Sequence, residues 1–270
     1  MTQVTGEVSL SHRGSQGLAA NHTVPHPALQ WPAMLLLAVD TCDARGSVAL
    51  LRDGRLLQQK IHDTPEDYSS WLLPAVNQLL SFGGVTLAEL QVCAVATGPG
   101  SFTGVRVGLT TAKAWCEVHG FPVAAVSRLD ALSTYSSGKT PVVAAFTDAH
   151  RKQVFGAVYR RGQDSLKRVG DEVVSSPDAF IDQAAASAGQ GRIEWISPDP
   201  KCFADSERWR DRLPHGESIH VVAPVFAPAI ARIGYGLAHE GRLTDSLSLD
   251  ANYVRRSDAE IFWKAGAHGG

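Results

Sequence analysis

Cysteine and methionine are both scarce in this 270-residue chain, with four of the first and two of the second. Cys42, Cys93, Cys116 and Cys202 stand too far apart for a paired-thiolate zinc site, and nothing ahead of them reads as an export signal. Reduced thiols in a cytoplasmic protein are the expectation. Long apolar runs are missing too. The longest near the front, Met34 to Val39, falls far short of the roughly 20 residues that a bilayer span needs, and it has the length of a strand. Nor is there a charge excess: 25 Lys and Arg against 27 Asp and Glu leave a net charge of −2. A free-standing nucleic-acid binder needs a basic excess to neutralise phosphates, so contact with RNA is expected only locally or through a partner. The remaining balance, 44% apolar and 19% charged, is that of an ordinary soluble chain with enough length for one large domain or two lobes.

Residues 1–33 combine few large apolar side chains with Gly14, Gly17, Pro25, Pro27 and Pro32, and show no sustained period. They read as a disordered extension. The second methionine, Met34, opens the first strand, so the true start is expected there. His22 and His26 have the spacing of a helical metal pair, but Pro25 argues against a helix at that point.

From Met34 onward the pattern reads as strands Leu35–Val39, Ser47–Arg52 and Arg55–Ile61, the last two joined by an Asp53–Gly54 turn of hairpin type. A helix from about Glu66 to Phe82 follows, then strand Val92–Ala96, a glycine-rich turn, helix Thr103–His119, strand Pro122–Val126 and a short helix from Ser127. Sliding the chain on itself by 108 residues places Asp40 on Asp148, Ala49 on Ala157, Arg52 on Arg160 and Gly54 on Gly162. The second copy continues with helix Pro177–Ala188, strand Arg192–Ile196, a helix near Phe203–Leu213, strand Ile219–Ala223, helix Ala227–Glu240 and an extended Tyr253–Arg255. A duplicated unit predicts two lobes facing a cleft, an N-terminal lobe over 34–137 and a C-terminal lobe over 138–270.

Two readings stand for each candidate site. Asp40-Thr41 ends a strand and opens a hairpin, and Asp148 does so in the second copy. Two carboxylates facing across a cleft would suit a nucleotide phosphate and its magnesium; alternatively each Asp caps its own turn through an Asx hydrogen bond. Gly98-Pro99-Gly100-Ser101-Phe102-Thr103-Gly104 lies between a strand and a helix, where backbone amides can hold an anion. It lacks the spacing of a dinucleotide fingerprint and has Val105 where a Walker loop has Lys, so a tight turn for close helix–strand packing is the other reading. Trp71, Trp115 and Val105 on the two first-lobe helices serve either the core or a partner.

Taken together, Leu36-Leu37-Ala38-Val39-Asp40-Thr41 with Ser47-Val48-Ala49-Leu50, Leu72-Leu73-Pro74, the run Gly98 to Gly108, Val126-Ser127-Arg128-Leu129-Asp130-Ala131-Leu132, Asp148-Ala149-His150-Arg151 and Tyr253-Val254-Arg255-Arg256 resemble the TsaB (YeaZ) family. The resemblance runs from about Met34 to Ser257. It implies an α/β fold of the actin/Hsp70-like (ASKHA) kind, duplicated into two lobes, each a mixed sheet with helices. It also implies a role in making threonylcarbamoyladenosine beside the anticodon of tRNA, as the non-catalytic partner of the related TsaD subunit, with the small ATPase TsaE as a third member. tRNA would then be met only through the complex, and no membrane is involved.

The resemblance also bears on single residues. TsaD carries a His-x-x-x-His metal pair where this chain has Arg128 and Leu132. Neither side chain can ligate a metal, so no catalytic residue and no metal site are expected. Asp40, Thr41, Gly98, Gly100, Ser101, Thr103, Gly104 and Asp148 then form a degenerate nucleotide or anion site. ATP or ADP, there or at the partner interface, is the candidate occupant, and no cofactor is required. Cys42, where the family usually has Ser or Thr, and Tyr68, where it often has His, both favour degeneracy. The partner face is expected at Tyr68, Trp71, Val105, Arg106 and Trp115, with Arg106 either paired to an interface carboxylate or solvated. Self-association through the same helices is the alternative when TsaD is absent. The rival function is an ATP-using hydrolase or phosphotransferase built on Asp40, Asp148 and the Gly98–Gly104 turn. A metal-dependent glycoprotease, the second rival, would need the missing His pair.

Overall fold

The computed structural model describes residues 33–163, 165–252 and 254. The extension expected over residues 1–33, with its His22 and His26, lies outside them but for residue 33, as do Tyr253, Arg255 and Arg256. The first half of the fold runs β1 (Leu35–Asp40), β2 (Ser47–Arg52), β3 (Arg55–Ile61), α1 (Tyr68–Gly83), β4 (Val92–Ala96), α2 (Phe102–His119), β5 (Val123–Val126) and α3 (Arg128–Ser133). The second runs β6 (Val142–Asp148), β7 (Val154–Arg161), β8 (Leu166–Ser175), α4 (Pro177–Ala188), β9 (Ile193–Ser197), α5 (Glu207–Arg212), β10 (Ile219–Val221) and α6 (Ala227–His239).

The expected elements stand where periodicity put them, with ends displaced by a residue or two. Stop signals explain the ends: Gly84 and Gly120 close α1 and α2 in the left-handed conformation, with φ of 64° and 76°. One helix differs. The stretch expected near Phe203–Leu213 is a 3-10 turn, Pro200–Phe203, followed by α5. Two caps split it, because the Asp199 side chain accepts from the Lys201 amide while Ser206 Oγ accepts from the Trp209 amide.

The two sheets have the same strand order, β3-β2-β1-β4-β5 and β8-β7-β6-β9-β10. In each, a three-stranded antiparallel meander is extended by two parallel strands. The internal repeat is therefore real, and the architecture is the duplicated actin/Hsp70-like one. It is not exact: Asp40 lies opposite Ser47 whereas Asp148 lies opposite Val154, so the second hairpin loop is one residue shorter.

Strands β1 and β4 are buried along their whole length because both faces of the first sheet are covered. Gly108 of α2 lies against Val39 and Val95 on one face, and Gly234 of α6 lies against Leu36, Ala94 and Ala124 on the other. Two helices pack across the expected lobe boundary. Helix α6, assigned with 138–270, packs on the first sheet, and α3, assigned with 34–137, packs on β6, β7 and β9 of the second. Each lobe lends the other a helix, so α3 and α6 join a core that includes Val143, Ala145, Ala157 and Ile196 from the second sheet. The outer face of that sheet has its own aromatic core, in which Phe146 stacks on Phe203 at 4.0 Å and Trp195 meets Trp209 edge-on. Among the described residues no helix is long and apolar enough to cross a membrane.

Candidate functional site

Because β1, β4 and β5 run parallel, their carboxyl ends lie side by side, the edge at which open α/β sheets place ligands. Asp40 ends β1, Thr97 and Gly98 follow β4, and Ser127 and Arg128 follow β5. Arg128 turns inward from the first turn of α3. Its Nε stands 3.2 Å from Asp40 Oδ2 and its Nη1 3.1 Å from Asp43 Oδ2, while its guanidinium carbon lies 4.9 Å from the centre of the Phe226 ring. Arg128 is 2% exposed and Asp40 fully buried. Burial works against the guanidinium charge, but the carboxylates of Asp40 and Asp43 outweigh it and hold the group above its ordinary value.

The Asp40 carboxylate is thus engaged on both oxygens, since Oδ1 accepts from the Cys42 amide at 3.0 Å. That second bond is the expected turn cap. Asp148 behaves likewise at the end of β6: its Oδ1 accepts from the His150 amide at 2.8 Å and its Oδ2 lies 3.3 Å from His150 Nδ1. The two carboxylates sit in different surroundings. Asp40 lies among first-core side chains, whereas Asp148 neighbours Cys202, whose thiol is pushed up to about 12 by burial, then by Asp148 and Asp199.

The glycine-rich turn is packed against the β1–β2 loop. Thr41 Oγ1 donates to the Gly104 carbonyl at 2.7 Å, and the Ser101 amide donates to the Cys42 carbonyl at 2.7 Å. The Gly104 amide donates to Ser101 Oγ, which caps α2. A Cβ on Gly104 would stand 2.0 Å from the Thr41 carbonyl oxygen, and one on Gly100 would stand 2.1 Å from that of Cys42. Close approach of two backbones is what these glycines serve. Thr103 is exposed in the first turn of α2.

The residues expected at a partner face separate into two groups. Trp71, Val105 and Trp115 are buried in the first core, where they hold α1 and α2 to the sheet. Apolar periodicity reports an apolar stripe without saying what covers it, and here the sheet does. Tyr68 is half-buried: its hydroxyl donates to the Asp43 carbonyl, and its ring packs on His62 at 4.5 Å. Burial and the charge of Asp40 push its phenol above the ordinary value. Arg106 is exposed, with its guanidinium 3.8 Å from the centre of the Phe102 ring.

Residues that the periodicity passed over are at the surface instead. Leu73 is 50% and Phe102 40% exposed, and both line a groove of about 520 Å³ between α1 and α2, walled by Tyr68, Arg106 and Thr110. The signal was present in the sequence. Leu72 and Leu73 are adjacent on a helix, so only one can face the sheet, and Phe102 directly follows the capping Ser101. Asp43, the second acid of the β1–β2 loop, was also missed as a partner of Arg128.

Arg128 and Leu132 are both buried, the first on Asp40 and the second in the core. Among the described residues no three His, Cys, Asp or Glu side chains gather as metal ligands.

Comparison with known proteins adds the family. The model described as "TsaD: tRNA N6-adenosine threonylcarbamoyltransferase" matches residues 58–206. The chain is similar to the tRNA threonylcarbamoyladenosine biosynthesis protein TsaB of Escherichia coli, 30% identical over 168 residues that cover 61% of this chain and 70% of that one. Against TsaB of Bacillus subtilis it is 33% identical over 136 residues, 50% of this chain and 59% of its relative. Among solved structures, YeaZ from Pseudomonas aeruginosa superposes with a TM-score of 0.65 at 26% identity, covering 82% of this chain and 99% of that chain. With the duplicated fold and the run from Gly98 to Gly108, these matches mean that the chain belongs to the TsaB (YeaZ) family, whose members take part in tRNA threonylcarbamoyladenosine biosynthesis.

Proposed function

We propose that this protein is a non-catalytic accessory subunit that docks to TsaD through the groove between α1 and α2 and supports transfer of threonylcarbamoyl to the tRNA adenosine beside the anticodon. The observation that carries this reading is Arg128. A buried guanidinium is clamped on Asp40 and Asp43 at the position that the family resemblance matches to the first histidine of the metal pair in TsaD, and a permanent cation at that point repels a metal ion rather than ligating it. With Thr41 and the Ser101 amide engaged within the chain, the carboxyl-end edge offers little for chemistry, and the groove offers an apolar surface for a partner. Leu73 and Phe102 supply the apolar anchors and Arg106 a charge at the rim, the arrangement of a protein–protein contact. Its effect would be differential binding: stabilising the active arrangement of TsaD shifts that subunit's population without touching substrate. TsaE joins the same assembly, tRNA is met through TsaD, the setting is the cytoplasm, and the groove supports self-association when TsaD is absent. ATP or ADP, if bound, belongs to the assembled interface.

The test is light scattering on the protein mixed with TsaD from the same source, alongside threonylcarbamoylation of tRNA with and without this subunit. Leu73→Glu with Phe102→Glu should abolish the complex and its stimulation while leaving the melting curve unchanged. Equal tRNA modification with the subunit present or absent would overturn the accessory role. Nucleotide turnover by the isolated protein, lost in Asp40→Ala, would favour the ATP-using rival.

A further inference from the structure

The edge formed by the carboxyl ends of β1, β4 and β5 is crossed by a later stretch of the same chain. After α6 the backbone returns along β5, where Val123 and Thr244 exchange N–H···O bonds of 2.9 and 2.8 Å. Leu249 is sunk in the first core, 1% exposed. At Asn252 the chain then spans the two lobes. Its amide donates to the Thr97 carbonyl at 2.8 Å, at the end of β4, and its side-chain Nδ2 donates to Glu172 Oε2 at 2.6 Å, on β8 of the second sheet. The crossing is close: a Cβ on Gly98 would stand 3.2 Å from the Asn252 carbonyl oxygen.

Glu172 links this crossing to the rest of the interface. Its side chain is 4% exposed, and its Oε1 accepts from Ser127 Oγ, the cap of α3, and from Arg168 Nη1. Ser127 adjoins Arg128, so the network reaches the Asp40 clamp. A buried carboxylate oxygen left without its donor is expensive, and among the described residues Asn252 is the donor that serves Oε2.

We propose that residues 244–252 form a strap that fastens the two lobes across this edge, with Asn252 as the fastener, so that the edge becomes accessible only when the strap lifts. The neutral amide matters. Asn252→Asp would set a second carboxylate against Glu172 where a donor had been, whereas the reciprocal pair Asn252→Asp with Glu172→Gln restores an amide–carboxylate contact of opposite polarity.

Hydrogen–deuterium exchange on the full chain reads this directly. Asn252→Asp should accelerate exchange of segments 244–252 and 166–175 by about tenfold or more, the size expected for a buried bond left unmade, with segments in β1 and α1 unchanged. The reciprocal pair should return both segments most of the way to wild-type exchange. Wild-type exchange in Asn252→Asp overturns the strap, and so does equal acceleration throughout the chain or a reciprocal pair no slower than the single variant. Should Asn252→Asp fail to fold, Asn252→Ala removes the donor without adding charge. Its faster exchange must be confined to the same two segments, and unchanged or general acceleration rejects the proposal.

Discussion

Arg128→Ala is the sharpest perturbation of the internal clamp. The substitution takes from Asp40, which is fully buried, the Arg128 countercharge and the hydrogen bond from its Nε, leaving the donors of Cys42. Breaking a buried ion pair from one side is worth about 3–5 kcal/mol, a large part of the roughly 5–15 kcal/mol that holds a typical domain folded. Asp43 should matter far less. Its side chain is 47% exposed, so Asp43→Ala removes a pair that water already screens, with a loss of about 1 kcal/mol or less. The double change Arg128→Leu with Asp40→Asn removes both charges, keeps an apolar side chain in part of the space and leaves an amide to meet the loop. It should therefore regain most of the stability that the single change loses. Urea unfolding at pH 7, followed by tryptophan fluorescence and circular dichroism, gives all four numbers. Arg128→Ala within about 1 kcal/mol of wild type, Asp43→Ala as damaging as Arg128→Ala, or a double variant no better than the single one would each refute a clamp centred on Asp40.

The remaining expectations concern packing and pH. Gly104→Ala drives a Cβ toward the Thr41 carbonyl, to 2.0 Å, and neither backbone can yield; a loss of about 2 kcal/mol or more and a melting midpoint lower by about 5 °C or more are expected, and an unchanged midpoint would contradict the close approach. Val105→Glu buries an unpaired carboxylate in the first core. It should destabilise the fold by about 3 kcal/mol or more, so a Val105→Glu protein as stable as wild type that had merely lost a partner would return Val105 to the surface. Burial raises the carboxyl of Glu172 above the usual value near 4.5, against the opposing pull of Ser127 and Arg168. A raised acid holds its proton more tightly in the folded state than in the unfolded one. Stability contributed by this group is therefore lost as pH rises from the ordinary value through the raised one. The unfolding free energy of wild type minus that of Glu172→Gln should accordingly fall with rising pH across that window, and a flat or rising difference would count against the placement.

Much of the secondary structure was legible because the determinants are local. β1 and β4 read as continuous apolar runs because both faces of their sheet are covered, α1 and α2 show helical period with glycine stops, and the Asp53–Gly54 turn joins β2 to β3. The repeat was legible because the spacing from Asp40 to Asp148 survives duplication.

Which surface covers which was settled only in three dimensions. Periodicity marks Ala227, Ala229 and Ile230 as an apolar face of α6 but cannot say that it lies on the first sheet rather than the second. The same blindness left Trp71, Val105 and Trp115 open between the core and a partner, and only the folded chain shows them buried in the first core. Arg128 and Asp40 are separated by 88 residues in the chain. A charge in sequence carries no address, and only the parallel alignment of β1, β4 and β5 brings the start of α3 to the end of β1, where burial makes each of the two charges need the other.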